Sequence, residues 1–338
     1  MKIYSLWENG VTIIRGKSFE FTNHICYVPD EYIFDFLVGG QYTFLLKNPK
    51  PLIEAKRGLF IRDIGLGDIL LCTPLLREVK KINPAIKLDF MVRDRYKELF
   101  NGNPLVNKVI AMKDISTDLL NEYQWFIKLN QIEFVVGKHE SEHRVDIFAS
   151  CIPEIKLPIK DKSLIYNVAE EEKEWVRGYI KTRRSVVGVV LRTTCDNRNL
   201  KYSVISDIVK ALCKKGILCL LIDHQQQQSM SPVDGCLDLT GKLTVRQLGA
   251  VIDRCDVLFT PDTGTFHLAS AIPGVKIVSY FGAIDSLLRI TAPERTKVIY
   301  KEIECYPCNS YSCKNPRCIW EIPAETYVNS ILGSLKEK

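Results

Sequence analysis

Two glycine-bearing loops and a run of closely spaced thiols hold the side chains of this sequence best suited to chemistry. The first loop reads Arg62-Asp63-Ile64-Gly65-Leu66-Gly67-Asp68. Gly65 and Gly67 let its backbone approach a ligand closely, and Asp68 falls at or near the start of a helix. A carboxylate there either caps the helix or faces whatever the loop binds; capping tends to lower a carboxyl pKa and so weakens it as a base. The second loop, Thr260-Pro261-Asp262-Thr263-Gly264-Thr265-Phe266-His267, follows the apolar run Val257-Leu258-Phe259 and opens another helix. The unsatisfied N–H groups of a helix start suit an anion such as a diphosphate. Thr263 and Thr265 add hydroxyls, Gly264 permits backbone contact, and His267 lies one turn in, within reach of the same anion. A single helical histidine is otherwise a structural residue.

The thiols are Cys305, Cys308, Cys313 and Cys318. A Cys-x2-Cys knuckle with two further cysteines offers four soft ligands for tetrahedral zinc or iron, in a structural role. The alternatives are free thiols or a disulfide, which a reducing compartment disfavours. The other eight of the twelve cysteines are scattered. Several, such as Cys72 and Cys219, lie in apolar runs and read as small core hydrophobes.

The elements that must position these groups alternate. Residues 1–57 are β-rich, with Glu8-Asn9-Gly10 as a hairpin turn between Ile3–Trp7 and Val11–Arg15, and Asn48-Pro49-Lys50-Pro51 as a boundary. From Gly58, strands at Leu59–Ile61, Lys87–Val92, Val109–Met112 and Trp125–Leu129 alternate with helices at Asp68–Ile82 and Asp94–Phe100. After an irregular stretch, Ile152–Ser163, helices at Glu170–Thr182, Val204–Lys215, Val245–Cys255 and Thr265–Ile272 alternate with strands at Val186–Leu191, Ile217–Ile222, Asp256–Thr260 and Val275–Phe281. This α/β pattern implies parallel sheets covered on both faces. Two doubly wound, Rossmann-like halves fit a GT-B arrangement, with a cleft between sheets. The expected domains are a β-rich extension at 1–57, a first Rossmann-like domain at 58–160, and a second at 161–338 carrying the cysteine knuckle. Ligands of such sheets bind beyond the carboxyl ends of the strands, which directs attention to loops 62–68, 192–201, 240–242 and 260–267.

The 338 residues are 46% hydrophobic, with a formal charge of +6, values of an ordinary globular protein. No stretch reaches the roughly 18 apolar residues of a membrane span, and the start lacks the apolar core of a secretory signal; the default expectation is cytoplasmic. A basic excess between Arg177 and Lys215 suits phosphates of a nucleotide, a lipid head group or nucleic acid, or is a solvated helix face.

Gly65–Arg77 together with Asp262–Ala271 resembles glycosyltransferase family nine, the heptosyltransferases of lipopolysaccharide synthesis and their protein-modifying relatives. Leu239-Thr240-Gly241-Lys242-Leu243-Thr244 resembles the family's nucleotide-side loop. The resemblance covers about residues 58–330. It implies inverting transfer on a GT-B fold, from a nucleotide-diphosphate sugar such as ADP-heptose held mainly by the C-terminal lobe. By position, Asp68 matches the general base beside Gly67. Asp262, Thr263, Gly264 and His267 match the diphosphate segment, with Thr265 a further donor-binding candidate and Gly241 and Lys242 on the nucleotide side. Where the family commonly has a lysine before an aromatic-proline pair, this chain reads Arg192-Thr193-Thr194-Cys195-Asp196-Asn197-Arg198-Asn199-Leu200-Lys201. The pair is missing, and Arg198 and Lys201 both remain candidates for the leaving phosphate, with Arg192 and Thr193 in the same loop. The four cysteines resemble the family's C-terminal cysteine-rich motif, whose protein-modifying branch has an iron-binding finger. The chain contains no Asp-x-Asp, so no catalytic divalent metal is expected.

The leading expectation is therefore transfer of a heptose-like sugar to a glycan, lipid or protein hydroxyl, by a chain compatible with homo-oligomers. A second reading keeps the enzyme and makes the acceptor a hydroxylated base in DNA, for which salt-sensitive duplex binding would speak. A third is a sugar-nucleotide-binding module without catalysis.

Overall fold

The computed structural model describes residues 42–44, 46–130, 141–225, 233–310 and 312–336, together with positions 2–5, 10–15, 17–22, 25–29, 31, 33 and 35. It divides into two compact units, Met1–Lys162 and Ser163–Lys338.

The first unit opens with five short strands, β1 (Lys2–Ser5), β2 (Gly10–Ile14), β3 (Lys17–Phe21), β4 (Ile25–Tyr27) and β5 (Tyr42–Phe44). The expected hairpin about Glu8-Asn9-Gly10 does not form between β1 and β2. Instead β1 pairs antiparallel with β4 and β5, and β2 pairs with β3. The register sets Ile14 opposite Lys17, with Arg15 in the turn. Arg15 has φ 49°, the positive φ that a tight two-residue hairpin uses. Glu8 and Asn9 themselves lie outside the described residues. Phe19, Val28 and Ile33 share one buried cluster with Leu59, Ile61, Met91 and Ile110, so the N-terminal segment and the following sheet have a common core.

That sheet comprises β6 (Arg57–Ile61), β7 (Lys87–Val92), β8 (Lys108–Ala111) and β9 (Trp125–Lys128), all parallel, in the order β8-β7-β6-β9. The chain enters at β6, adds β7 and β8 on one side, then returns to place β9 on the other. Its switch point lies between β6 and β9. At the amino edge, buried Asp89 accepts hydrogen bonds from Arg57 (2.8 Å), Asn107 (2.7 Å) and the Tyr123 hydroxyl (2.7 Å), tying three strands together.

The single helix expected over Asp68–Ile82 is two, α1 (Leu66–Leu71) and α2 (Thr73–Ile82). Pro74 has no N–H to offer the Leu70 carbonyl, and the Thr73 hydroxyl donates there at 2.7 Å. Asp94–Phe100 is 3-10 rather than α-helical. Helices α3 (Thr117–Asn121) and α4 (Arg144–Ala149) follow.

The second unit is built on a six-stranded parallel sheet: β10 (Val186–Val190), β11 (Leu218–Ile222), β12 (Cys236–Asp238), β13 (Val257–Pro261), β14 (Lys276–Tyr280) and β15 (Thr296–Ile299), in the order β12-β11-β10-β13-β14-β15. Its helices are α5 (Glu170–Tyr179), α6 (Tyr202–Lys214), α7 (Val245–Arg254), α8 (Gly264–Ala271), α9 (Arg317–Trp320) and α10 (Ala324–Lys336). Every residue of β10, Val-Val-Gly-Val-Val, is buried, as a strand covered on both faces must be. Helix α6 buries Ile205, Ile208, Val209 and Leu212 at helical spacing. Again the chain starts in the middle, at β10, and reverses direction across the sheet at β13.

Candidate active site

Because the strands of each sheet are parallel, all loops leaving their carboxyl ends lie along one edge, and the switch point is where two neighbouring loops diverge to open a crevice. Asp68, Arg198 and the Asp262–His267 segment fall at these two points, while Gly241 and Lys242 follow the edge strand β12 and the four cysteines follow β15.

In the first unit the loop after β6 carries Arg62, Asp63 and the glycines. Helix α1 begins at Leu66 with Gly65 as its N-cap at φ 83°, and no side chain caps it. Asp68 is therefore not an N-cap but the third residue of the helix, with Gly67 buried beside it. Its carboxylate is held by Arg62, whose Nη2 donates to Asp68 Oδ2 at 2.7 Å. The guanidinium is 2% exposed and Asp68 29%. Arg62 also donates to the carbonyls of Ile64 and Leu129, and so locks the loop after β6 to the chain leaving β9. A Cβ at Gly65 would stand 2.9 Å from Asp68 Oδ2, so glycine is needed there for space as well as for φ. Beyond the expected residues, Asp63 is buried, accepts from Arg93 at 3.0 Å, and donates its backbone N–H to Asn130. Lys128, the last residue of β9, has its pKa brought down to about 8 by burial, with the Asp63 charge opposing. The sequence signal for these groups is a polar residue directly after an apolar strand.

In the second unit Arg198 and Asp262 meet at the switch between β10 and β13. Arg198 Nη1 donates to Asp262 Oδ2 at 3.0 Å, with both side chains largely buried, and His267 Nε2 stands 3.9 Å from Asp262 Oδ1. Thr263 is the N-cap of α8 and makes no side-chain cap bond. Gly264 and Thr265 form the first turn, and His267, the fourth helical residue, is buried. The two candidates from this loop stand apart: Lys201 Nζ lies 4.8 Å over the Trp320 ring, while Arg198 is beside Asp262. Arg192 pairs with Asp196 at 3.2 Å. Thr193 is used within its loop, its amide donating to Asn199 Oδ1 at 2.6 Å and its hydroxyl to the Cys195 carbonyl at 3.0 Å. Gly241 adopts φ 66° and donates its N–H to the Asp223 carbonyl at 3.0 Å. Lys242 reaches back to the Asp238 carbonyl at 2.7 Å. Asp223, at the carboxyl end of β11, has a fully buried side chain 2.9 Å from His224 Nδ1 and was not singled out by sequence.

The basic excess at 177–215 is split by β10: Arg177, Arg183 and Arg184 precede the strand at its amino edge, whereas Arg192, Arg198 and Lys201 follow it at the carboxyl edge. The cysteines are less close-knit than the metal expectation requires. Cys305 and Cys308 are exposed and Cys318 is buried on α9. Burial raises the Cys318 thiol to about 11, with further contributions from Cys308, Cys313 and Cys305. Among the described residues, no three His, Cys, Asp or Glu side chains stand together as a metal-holding group. The amides of Cys308 and Asn309 both donate to the Ala283 carbonyl, which holds the knuckle against the loop after β14. Among the described residues no cysteine is paired in a disulfide.

A profile of glycosyltransferase family 9 (heptosyltransferase) matches residues 107–319, more than half of the chain. The chain belongs to this family. Lipopolysaccharide heptosyltransferase 3 of Escherichia coli is 23% identical over 282 residues, covering 65% of this chain and 82% of that protein. Lipooligosaccharide heptosyltransferase 2 of Campylobacter jejuni is 31% identical over 104 residues, where the match spans 32% of the relative's length. The solved structure of E. coli ADP-heptose lps heptosyltransferase II superposes with a TM-score of 0.65 at 15% identity, covering 82% of this chain and 98% of that one. At that identity the likeness shows the fold, which is GT-B, as expected. Among the described residues of this family-9 glycosyltransferase no helix is long and apolar enough to cross a membrane.

Proposed function

We propose that this family-9 glycosyltransferase moves a heptose or related sugar from an ADP-heptose-like donor to a hydroxyl of a glycan, lipid or protein, with inversion and without a catalytic metal. The observation that carries the reading is the Arg198–Asp262–His267 constellation at the β10/β13 switch point, beside a helix start that no side chain caps. Asp262 orients the Arg198 guanidinium, and the amides of Gly264 and Thr265 with the Thr263 and Thr265 hydroxyls complete a cradle for the diphosphate. Gly241 and Lys242 belong to the nucleotide side. The relatives named above, all heptosyltransferases, support the choice of sugar.

In the reaction the acceptor oxygen attacks the anomeric carbon, its proton passes to the Asp68 carboxylate, and the bond to the diphosphate breaks with its electron pair leaving on the phosphate oxygen. Arg198 and the start of α8 stabilise that charge, the task a metal ion does elsewhere; the lack of an Asp-x-Asp sequence supports this division. For the cysteines we propose a structural site at which Cys305, Cys308, Cys313 and Cys318 would hold zinc or iron.

The test is a panel of nucleoside diphosphate sugars scored by thermal stabilisation and donor hydrolysis. A true donor at about 100 times its Kd stabilises by about 2.7 kcal/mol. If no nucleoside diphosphate or its sugar stabilises the protein, the reading is wrong. Metal analysis of reduced protein checks the cysteines: about one equivalent lost on Cys308→Ser is expected, and metal-free wild type refutes it.

A further inference from the structure

The cysteine-rich segment touches the loop that carries Arg198 on both sides of that residue. The buried Asn197 side chain donates through Nδ2 to the Ser310 carbonyl at 2.7 Å. Two residues on, the Asn199 carbonyl accepts from Trp320 Nε1 at 2.9 Å. The same segment is anchored to the loop after β14, where the Cys308 and Asn309 amides share the Ala283 carbonyl at 3.0 and 2.8 Å. Arg198 thus sits between two side-chain hydrogen bonds made to residues more than a hundred positions away.

We infer that the segment 305–320 is a clamp on the Arg198 loop, and that Asn197 and Trp320 are positioning residues which set the guanidinium opposite Asp262 for a nucleoside diphosphate. The 3-10 turn Asp196–Arg198 has only three residues and little intrinsic rigidity. Thr193 braces it from within the loop, and these two bonds hold it from outside on either flank. The inference rests on the donor-side reading of Arg198.

Asn197→Asp keeps the shape and replaces the donor by a second acceptor facing a carbonyl; Trp320→Phe keeps a ring and removes the N–H. Two readouts apply to the full-length protein. Hydrogen exchange without ligand is expected to be faster at amides 195–199 in both variants, and unchanged exchange overturns the clamp. ADP affinity is expected to fall roughly three- to tenfold in Asn197→Asp, as one lost hydrogen bond implies. In an Arg198→Ala background the same change is expected to alter ADP affinity by less than about twofold. Equal loss in both backgrounds overturns action through Arg198. Wild type that fails to bind ADP sinks the donor reading alone, and the exchange measurement still decides the clamp. If Asn197→Asp does not fold, Trp320→Phe carries both measurements.

Discussion

Replacing Asp68 by Asn separates what its carboxylate does for folding from what it does for chemistry. The amide still offers an oxygen to Arg62 Nη2, which sits 2.7 Å from Asp68 Oδ2, but the negative charge is gone. Breaking a fully buried ion pair costs about 3–5 kcal/mol. Here Arg62 keeps the Ile64 and Leu129 carbonyls and Asp68 is 29% exposed, so solvent screens part of the loss. About 1–2 kcal/mol is the expected cost, a fall of roughly 2–8 °C in Tm for a unit of this size. Loss of a general base lowers the rate by about a hundred- to ten-thousandfold, or about 3–5 kcal/mol of barrier. Transfer under saturating donor and calorimetric ADP affinity are to be measured together. The expected result is a kcat down at least a hundredfold with ADP affinity unchanged within twofold. A kcat within tenfold of wild type, or a loss confined to ADP affinity, would refute the assignment of Asp68 as base.

Other outcomes follow from particular contacts. Gly249→Ala on α7 sets a methyl 2.3 Å from the Tyr166 hydroxyl; overpacking of this kind costs about 1–3 kcal/mol, visible in urea unfolding, and an unchanged midpoint contradicts the packing. Lys128 has a folded pKa of about 8 against 10.5 for the free side chain. The unfolded chain therefore holds more protons between those values, and stability rises with pH across that window, by roughly 3 kcal/mol. Lys128→Met removes that rise, so the wild-type minus variant difference in stability should climb from pH 8 to 10; a flat difference negates the burial. In protein freed of metal, a maleimide at neutral pH should modify exposed Cys305 and Cys308 before buried Cys255, whose thiol burial pushes up to about 12; mass spectrometry showing early Cys255 labelling would contradict the packing around it. His267→Ala is expected to weaken ADP binding by about ten- to a hundredfold, since a hydrogen bond to a charged group contributes about 1.5–3 kcal/mol, and unchanged affinity removes it from the cradle.

Local chemistry made much of this legible in advance. Short, β-branched-rich apolar runs such as Val186–Leu191 and Ile217–Ile222 read as strands covered on both faces, and their alternation with helices points to a parallel α/β fold. Parallel strands in turn place every loop after a strand on one edge, which is why 62–68 and 260–267 stood out as candidate sites. The N-terminal hairpin was not, because turn-forming residues occur at both 8–10 and 15–16, and pairing with distant strands chose between them. Nor was the break at Cys72, where a threonine hydroxyl takes the carbonyl that a proline abandons.

Strand order is what only the tertiary structure decided. Sequence lists β10, β11, β12 and β13 in line; folding puts β13 beside β10, so Arg198 and Asp262, 64 positions apart, become partners at 3.0 Å. It likewise sends Lys201 to Trp320, and buries Arg62 under Asp68 through a carbonyl 67 residues away. Residue type and local spacing say which groups are able to act and on which edge of a sheet they lie. Which of them meet depends on the pairing of strands far apart in the chain, and that pairing is set by side-chain packing across the whole core.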